Sequence, residues 1–90
     1  NVLPSDVFGG APKNATHIGL RPEQIMQGEG EDSFVQRVEH LGDQTRLHLS
    51  FKSHDLITVT DAHTTLKEGD IIQIRPDNAF YFDAFGARVS

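Results

Sequence analysis

Thr45, Leu47, Leu49 and Phe51 alternate without a break with Arg46, His48, Ser50 and Lys52. A two-residue period puts successive side chains on opposite faces of a strand, so this stretch predicts a half-buried strand of an antiparallel sheet. Upstream, Phe34, Val35, Val38 and Leu41 form a second apolar run, and Gly42 and Asp43 separate the two runs. That separation predicts a hairpin. Leu41-Gly42-Asp43-Gln44 is not the tight Asn-Gly type, so a bulge or a longer loop is expected. Lys52 to His54 reads as the next turn, and Leu56, Ile57, Thr58, Val59 and Thr60, rich in β-branched residues, as a third strand. Asp61 to Glu68 reads as a loop and Gly69-Asp70 as a turn. A short strand of Ile71, Ile72 and Ile74 follows, stopped by Pro76 because proline cannot donate to a ladder. Phe80, Tyr81 and Phe82 form one more strand, with Asp83 to Gly86 as a last turn before Arg88 and Val89.

The N-terminal part has weaker periodicity. Residues 1–15 contain two prolines and a Gly-Gly pair and read as an irregular lead-in or linker, leaving residues 16–90 as the domain. From Thr16 the pattern is β-like, with Ile18 and Leu20 on one side. Pro22 pushes Arg21 out of the α region, so Arg21 is extended and the ladder ends near Pro22. Arg21 and Glu23 then suggest an ion-paired corner. Gly28, Glu29, Gly30, Glu31 and Asp32 read as a polar loop. No segment of ten or more residues sustains a 3.6-residue apolar period, so the expected fold is a small all-β barrel whose closure removes exposed edges.

Ninety residues make one small domain, with no room for a nucleotide-hydrolysing domain. The chain has no cysteine, which excludes disulfides and thiolate metal sites. A formal charge of −5 has the wrong sign for neutralising phosphates, and the apolar runs fall far short of the roughly 20 residues of a membrane span. Because the first residue is Asn1 rather than Met, excision from a longer polypeptide is expected.

Catalytic and metal-binding patterns are thin. Ser53, His54 and Asp55 have the residue types of a hydrolytic triad, but as chain neighbours they diverge instead of lining up as nucleophile, base and orienter. Asp61 with His63, and His40 with His48 on strands flanking one turn, invite a metal reading, but none has the spacing of a zinc helix. Glu29, Glu31 and Asp32 lack the alternating carboxylates and distal glutamate of a calcium loop. No phosphate-binding G-x-x-x-x-G-K-[ST] loop occurs. No catalytic, cofactor or metal residue is therefore expected.

Four short motifs follow in order: Gly19-Leu20-Arg21-Pro22-Glu23, then Val38-Glu39-His40-Leu41-Gly42-Asp43-Gln44-Thr45, then Leu66-Lys67-Glu68-Gly69-Asp70, and Phe80-Tyr81-Phe82-Asp83-Ala84-Phe85-Gly86. Physically they are turn and strand-end signals. Gly42 and Gly69 supply permissive backbone, and Asp70 suits a turn that caps its own amides. Glu39 is assigned to a solvated face, and Phe80, Phe82 and Phe85 to core plugs and a barrel lid. Taken together, the motifs resemble the C-terminal transport-associated OB (TOBE) domain of sugar- and polyol-type ABC importer ATPases, a group similar to the maltose-importer ATPase family. Asn1-Val2-Leu3-Pro4 is similar to the segment that follows the nucleotide-binding domain there. The residues that carry the motifs are Gly19, Arg21, Pro22, Glu23, Glu39, Gly42, Thr45, Gly69, Asp70, Phe82, Asp83 and Gly86. Gln44 stands where the family usually has an acidic residue.

The resemblance implies an OB-like antiparallel barrel that serves as an accessory and regulatory domain and is not itself an enzyme. It implies partners as well: the ATPase domain of the same polypeptide, a second copy across a homodimer axis and, indirectly, membrane permease subunits. ATP and Mg would bind the nucleotide-binding domain, so no cofactor is expected in this chain. The implied location is cytoplasmic, at the inner face of the cell membrane. The short lead-in implies that contacts some relatives make with a phosphotransferase-system regulator are not carried over. Two readings from other classes stand beside this one. One is a single-stranded nucleic-acid binder using Phe80, Tyr81 and Phe82 as a platform, which the net charge opposes; the other is a small-oxyanion pocket.

Overall fold

In the computed structural model, which describes residues 1–89, the alternation of Thr45 to Phe51 is a central strand. Among the described residues seven strands form: β1 (Val2–Pro4), β2 (His17–Gly19), β3 (Ile25–His40), β4 (Gln44–Phe51), β5 (His54–Asp61), β6 (Ile71–Pro76) and β7 (Phe80–Phe82). They make two antiparallel sheets, ordered β1-β2-β7 and β5-β4-β3-β6, and the only helical elements among the described residues are two 3₁₀ turns. The fold is all-β, as the periodicity implies, and OB-like, as the resemblance implies.

β4 is flanked on both sides, by β3 from His40↔Thr45 to Phe34↔Ser50 and by β5 from Gln44↔Asp61 to Phe51↔His54. Thr45, Leu47, Leu49 and Phe51 are fully buried, and Phe8 stacks on Phe51 with ring centroids 4.8 Å apart. The β4–β5 turn uses two residues, Lys52 (φ 48°) and Ser53 (φ 66°), both left-handed as a primed hairpin turn requires. Lys52 is held there by its ammonium, which donates to the Val7 carbonyl (2.6 Å), pairs with Glu31 (2.9 Å) and lies over the Phe51 ring.

Residues 28–32, expected as a polar loop, lie instead within β3. Gln27 and Glu31 both register with Ile74 of β6, so residues 28–30 are extra and bulge out. Gly30 makes the bulge possible: its φ is +123°, and a Cβ there would come within 2.0 Å of the Ile74 carbonyl oxygen. Residues 28–32 are all exposed, and Glu29, Glu31 and Asp32 are acidic, which is why the stretch resembles a loop in sequence.

The lead-in also differs from expectation. Val2, Leu3 and Pro4 pair with Gly19, Ile18 and His17, a 3₁₀ turn follows at Ser5–Val7, and Leu3, Val7 and Phe8 are buried. Irregular chain is confined to about the second half of the segment. In the small sheet Leu3, Ile18 and Tyr81 share one row; Leu3 and Ile18 are buried and Tyr81 packs against the core.

Edge protection does not come from one continuous ladder, because the two sheets are separate. Side chains close the gaps. The Asn1 carboxamide imitates a strand, donating to the Ile57 carbonyl (2.8 Å) and accepting from the Ile57 N–H (2.9 Å). Thr58 Oγ1 donates to the Pro22 carbonyl (2.9 Å) and Gln27 Nε2 to the Val59 carbonyl (3.2 Å). The outer edge of β5 is thereby occupied.

Candidate functional site

The first motif is a strand running into a turn. Arg21 is extended (φ −74°, ψ 156°), as a residue before proline should be, and Pro22–Gln24 form the second 3₁₀ turn. The expected Arg21–Glu23 ion pair does not form among the described residues. Gln24 closes the corner instead: its Oε1 accepts from the Arg21 N–H (2.8 Å) and its Nε2 donates to the Asn78 carbonyl (3.0 Å). A glutamine three residues after the cap position is a capping-box signal, so this contact was legible in the sequence.

The last motif meets the first across the small sheet. His17 and Gly19 register with Phe82 and Phe80, so period two places both phenylalanines on the outer face while Tyr81 turns inward. Neither Phe80 nor Phe82 is therefore a core plug; both are half-buried, and Phe85 is 96 % exposed, not a lid. The Phe82 ring lies over Gly19, with Cε2 3.0 Å from where a Cβ would sit, so a side chain there would press the ring outward. Arg88 covers the Phe80 ring at 4.3 Å. Asp83 builds the final turn: its Oδ1 accepts from the N–H groups of Phe85 (2.9 Å) and Ala87 (3.0 Å), and Gly86 adopts φ +83°. Val2, His17, Phe82, Asp83, Ala84 and Gly86 line an open concavity of about 330 Å³ on this face.

The second and third motifs lie on the large sheet. Gly42 (φ +89°) turns the β3–β4 hairpin, where the Leu41 N–H donates to the Gln44 carbonyl (2.9 Å), and the buried Thr45 hydroxyl lies 3.3 Å from His40 Nδ1. Glu39, expected on a solvated face, is half-buried between Arg37 (3.1 Å) and His48, which touches the same carboxylate oxygen. The His48 hydrogen bond, against an opposing effect of burial and aided by Arg37, holds the Glu39 carboxyl below its usual range. Gly69 (φ +90°) and Asp70 dock on β3 through Val35, with the Gly69 N–H donating to the Val35 carbonyl (2.8 Å) and the Val35 N–H to the Asp70 carbonyl (2.9 Å). Asp70 also accepts from the Lys67 N–H (3.0 Å). The structure thus brings the first and last motifs together and leaves the second and third apart from them.

This combination of corner, hairpin and capped turns has a counterpart among known domains: residues 18–82 match the TOBE domain. The chain belongs to the TOBE domain family. Over 69 residues, 68 % of the chain, this TOBE domain is 35 % identical to the sn-glycerol-3-phosphate import ATP-binding protein UgpC 2 of Rhizobium johnstonii. It spans 20 % of that relative's length. Asn1, Gln27 and Thr58, which close the TOBE barrel, are contributions the sequence reading missed. They are isolated polar residues with no periodic signature.

Proposed function

We propose that this TOBE domain is the accessory part of the ATP-binding subunit of an ABC importer for a carbohydrate or polyol, where it pairs subunits and regulates them. The observation that carries the reading is the similarity to a protein named as an import ATP-binding protein. The local geometry agrees with it, since the motif residues serve turns, caps and strand ends. On this reading the ATPase domain of the same polypeptide binds ATP and Mg, and the accessory barrels hold two subunits together at the cytoplasmic face of the membrane, beside the permease. A persistent contact makes re-closure of separated ATPase halves effectively intramolecular. The motif residues, from Gly19 to Gly86, give the barrel the shape on which that contact is built.

The test is the oligomeric state of the full-length parent, by light scattering without nucleotide, with and without this domain. Pairing that disappears on deletion is expected. A parent that is monomeric over a wide concentration range with the domain present would sink the assembly role.

A further inference from the structure

The two rims of the four-stranded sheet differ. Side chains seal β5, whereas β6 has a strand partner on one side only. Ser33 Oγ donates to the Ile72 carbonyl (2.9 Å), and the Ile74 carbonyl lies against Gly30 of the bulge, so Ile72 and Ile74 turn their backbone groups toward β3. Alternation along the ladder then turns the N–H and C=O groups of Ile71, Gln73 and Arg75 away from it. Among the described residues no hydrogen bond reaches these outward groups, and all three residues are exposed. Pro76, in register with Ile25, faces β3 by the same alternation and leaves the outer side unblocked. Charge gathers along this rim. Residues 25–34 and 67–77, which are β6, its flanks and the stretch of β3 beside it, hold Glu29, Glu31, Asp32, Glu68, Asp70 and Asp77 against only Lys67 and Arg75. Six carboxylates against two cations make −4 of the formal −5, and of the six only Glu31 has a side-chain cation, Lys52, within ion-pair distance. At one end of the strand Phe34 and Ile71, 53 % and 57 % exposed, are cross-strand neighbours on the outer face.

We propose that the free edge of β6 is a docking site for an extended, basic segment of a partner protein, which joins the sheet as a further strand. The outward groups of Ile71, Gln73 and Arg75 supply its main-chain hydrogen bonds, and side chains at alternate positions supply its selectivity. An apolar residue of the segment lies beside Ile71 and Phe34. Its cations meet the carboxylates that crowd the rim, an attraction that weakens as salt is added. Arg75 sets the register, because a cation directly opposite it is repelled. The same field rejects acidic segments, and a second copy of this chain, which brings the same acidic rim, is disfavoured at this edge.

Amide exchange and titration of the ¹⁵N-labelled chain test the proposal. In the free chain Ile71, Gln73 and Arg75 should exchange much faster than Ile72 and Ile74; equal protection would mean that the edge is already closed and would overturn the proposal. A peptide of alternating lysine and valine, added to about millimolar concentration, should then shift these three amides and slow their exchange. A fully N-methylated version keeps the charge but loses the donors, and should bind about tenfold more weakly or worse. A peptide of alternating glutamate and valine should leave the spectrum unchanged. Gln73→Pro removes an outward N–H that bonds nothing in the free chain and should also weaken binding about tenfold. The combined variant Asp32→Asn, Glu68→Gln and Asp77→Asn keeps every backbone group, so it should fold as the wild type does while binding more weakly and with less dependence on salt. The proposal fails if the lysine–valine peptide leaves the three amides unshifted at millimolar concentration. It fails equally if the N-methylated peptide binds as tightly, since the contact would then be charge alone, or if the combined variant binds as the wild type does.

Discussion

In the four-stranded sheet β4 has a backbone partner along nearly its whole length on both sides, whereas no strand of the three-stranded sheet exceeds three residues. A long ladder tolerates any sequence of suitable period, because its hydrogen bonds come from the backbone and its burial from every second side chain. A three-residue strand lacks that redundancy. The small sheet relies on particular side chains: Asn1 at its outer edge, Gln24 at its corner, Gly19 under Phe82, and Asp83 at its exit. The four sequence motifs divide along this contrast, with Glu39 and Thr45 inside the long β3–β4 ladder. Gly19 to Glu23 and Phe82 to Gly86 lie in or beside the small sheet, and Gly42, Gly69 and Asp70 lie at the ends of long strands.

Substitutions can break this contrast or sharpen it. The largest effect is expected from Phe51→Ala, which removes the stacking partner of Phe8 and should cost about 3–5 kcal/mol in urea unfolding. Because Phe8 ties the lead-in to β4, protection should fall in both sheets together, and loss confined to the large sheet would show that the cores are independent. Gly30→Ala should cost about 2–4 kcal/mol, combining strained φ with a clash at the Ile74 carbonyl. Gly28→Ala has the same kind of φ (+105°) but open space around it and should cost about 1–2 kcal/mol; equal costs would mean that the bulge relaxes. Asn1→Ala removes two bonds to Ile57 and should cost about 1–2 kcal/mol. Hydrogen exchange should show the Ile57 amide losing protection while the Leu47 and Leu49 amides keep theirs, and uniform loss would mean that the edge of β5 opens only with the whole sheet.

The smallest effect concerns acid. Glu39 is held below its usual range in the folded chain, so the unfolded chain takes up this proton at higher pH. The resulting stabilisation is present in full above about pH 5 and is lost as pH falls through the folded-state value. Melting temperatures measured down to about pH 3 should drop more steeply for the wild type than for Glu39→Gln. Parallel curves would show that the cluster is not linked to folding.

Much of the large sheet was legible. Strict alternation gave β4, β-branched density gave β5, and Pro76 marked the end of β6. The first half of β3 was not, because an acidic bulge between two glycines breaks the period that would have revealed it. The motifs were legible as an ordered set, yet the sequence misplaced what some of them do. Arg21 and Glu23 look like a pair by charge, but the Gln24 side chain reaches the Arg21 backbone. Phe80 and Phe82 look like core plugs until the register with His17, Ile18 and Gly19 sends Tyr81 inward in their place. How the barrel closes could not be read from a pattern, since closure depends on single polar side chains meeting across the fold.

Asn1 has a mechanical consequence. Its backbone exchanges hydrogen bonds with Leu20, donating at 2.9 Å and accepting at 2.8 Å, while its side chain holds Ile57 of β5. A single residue is therefore riveted to both sheets. Tension applied at that point is divided between the corner that ends β2 and the free side of β5, and it must peel the two seams together before either sheet can swing away from the other.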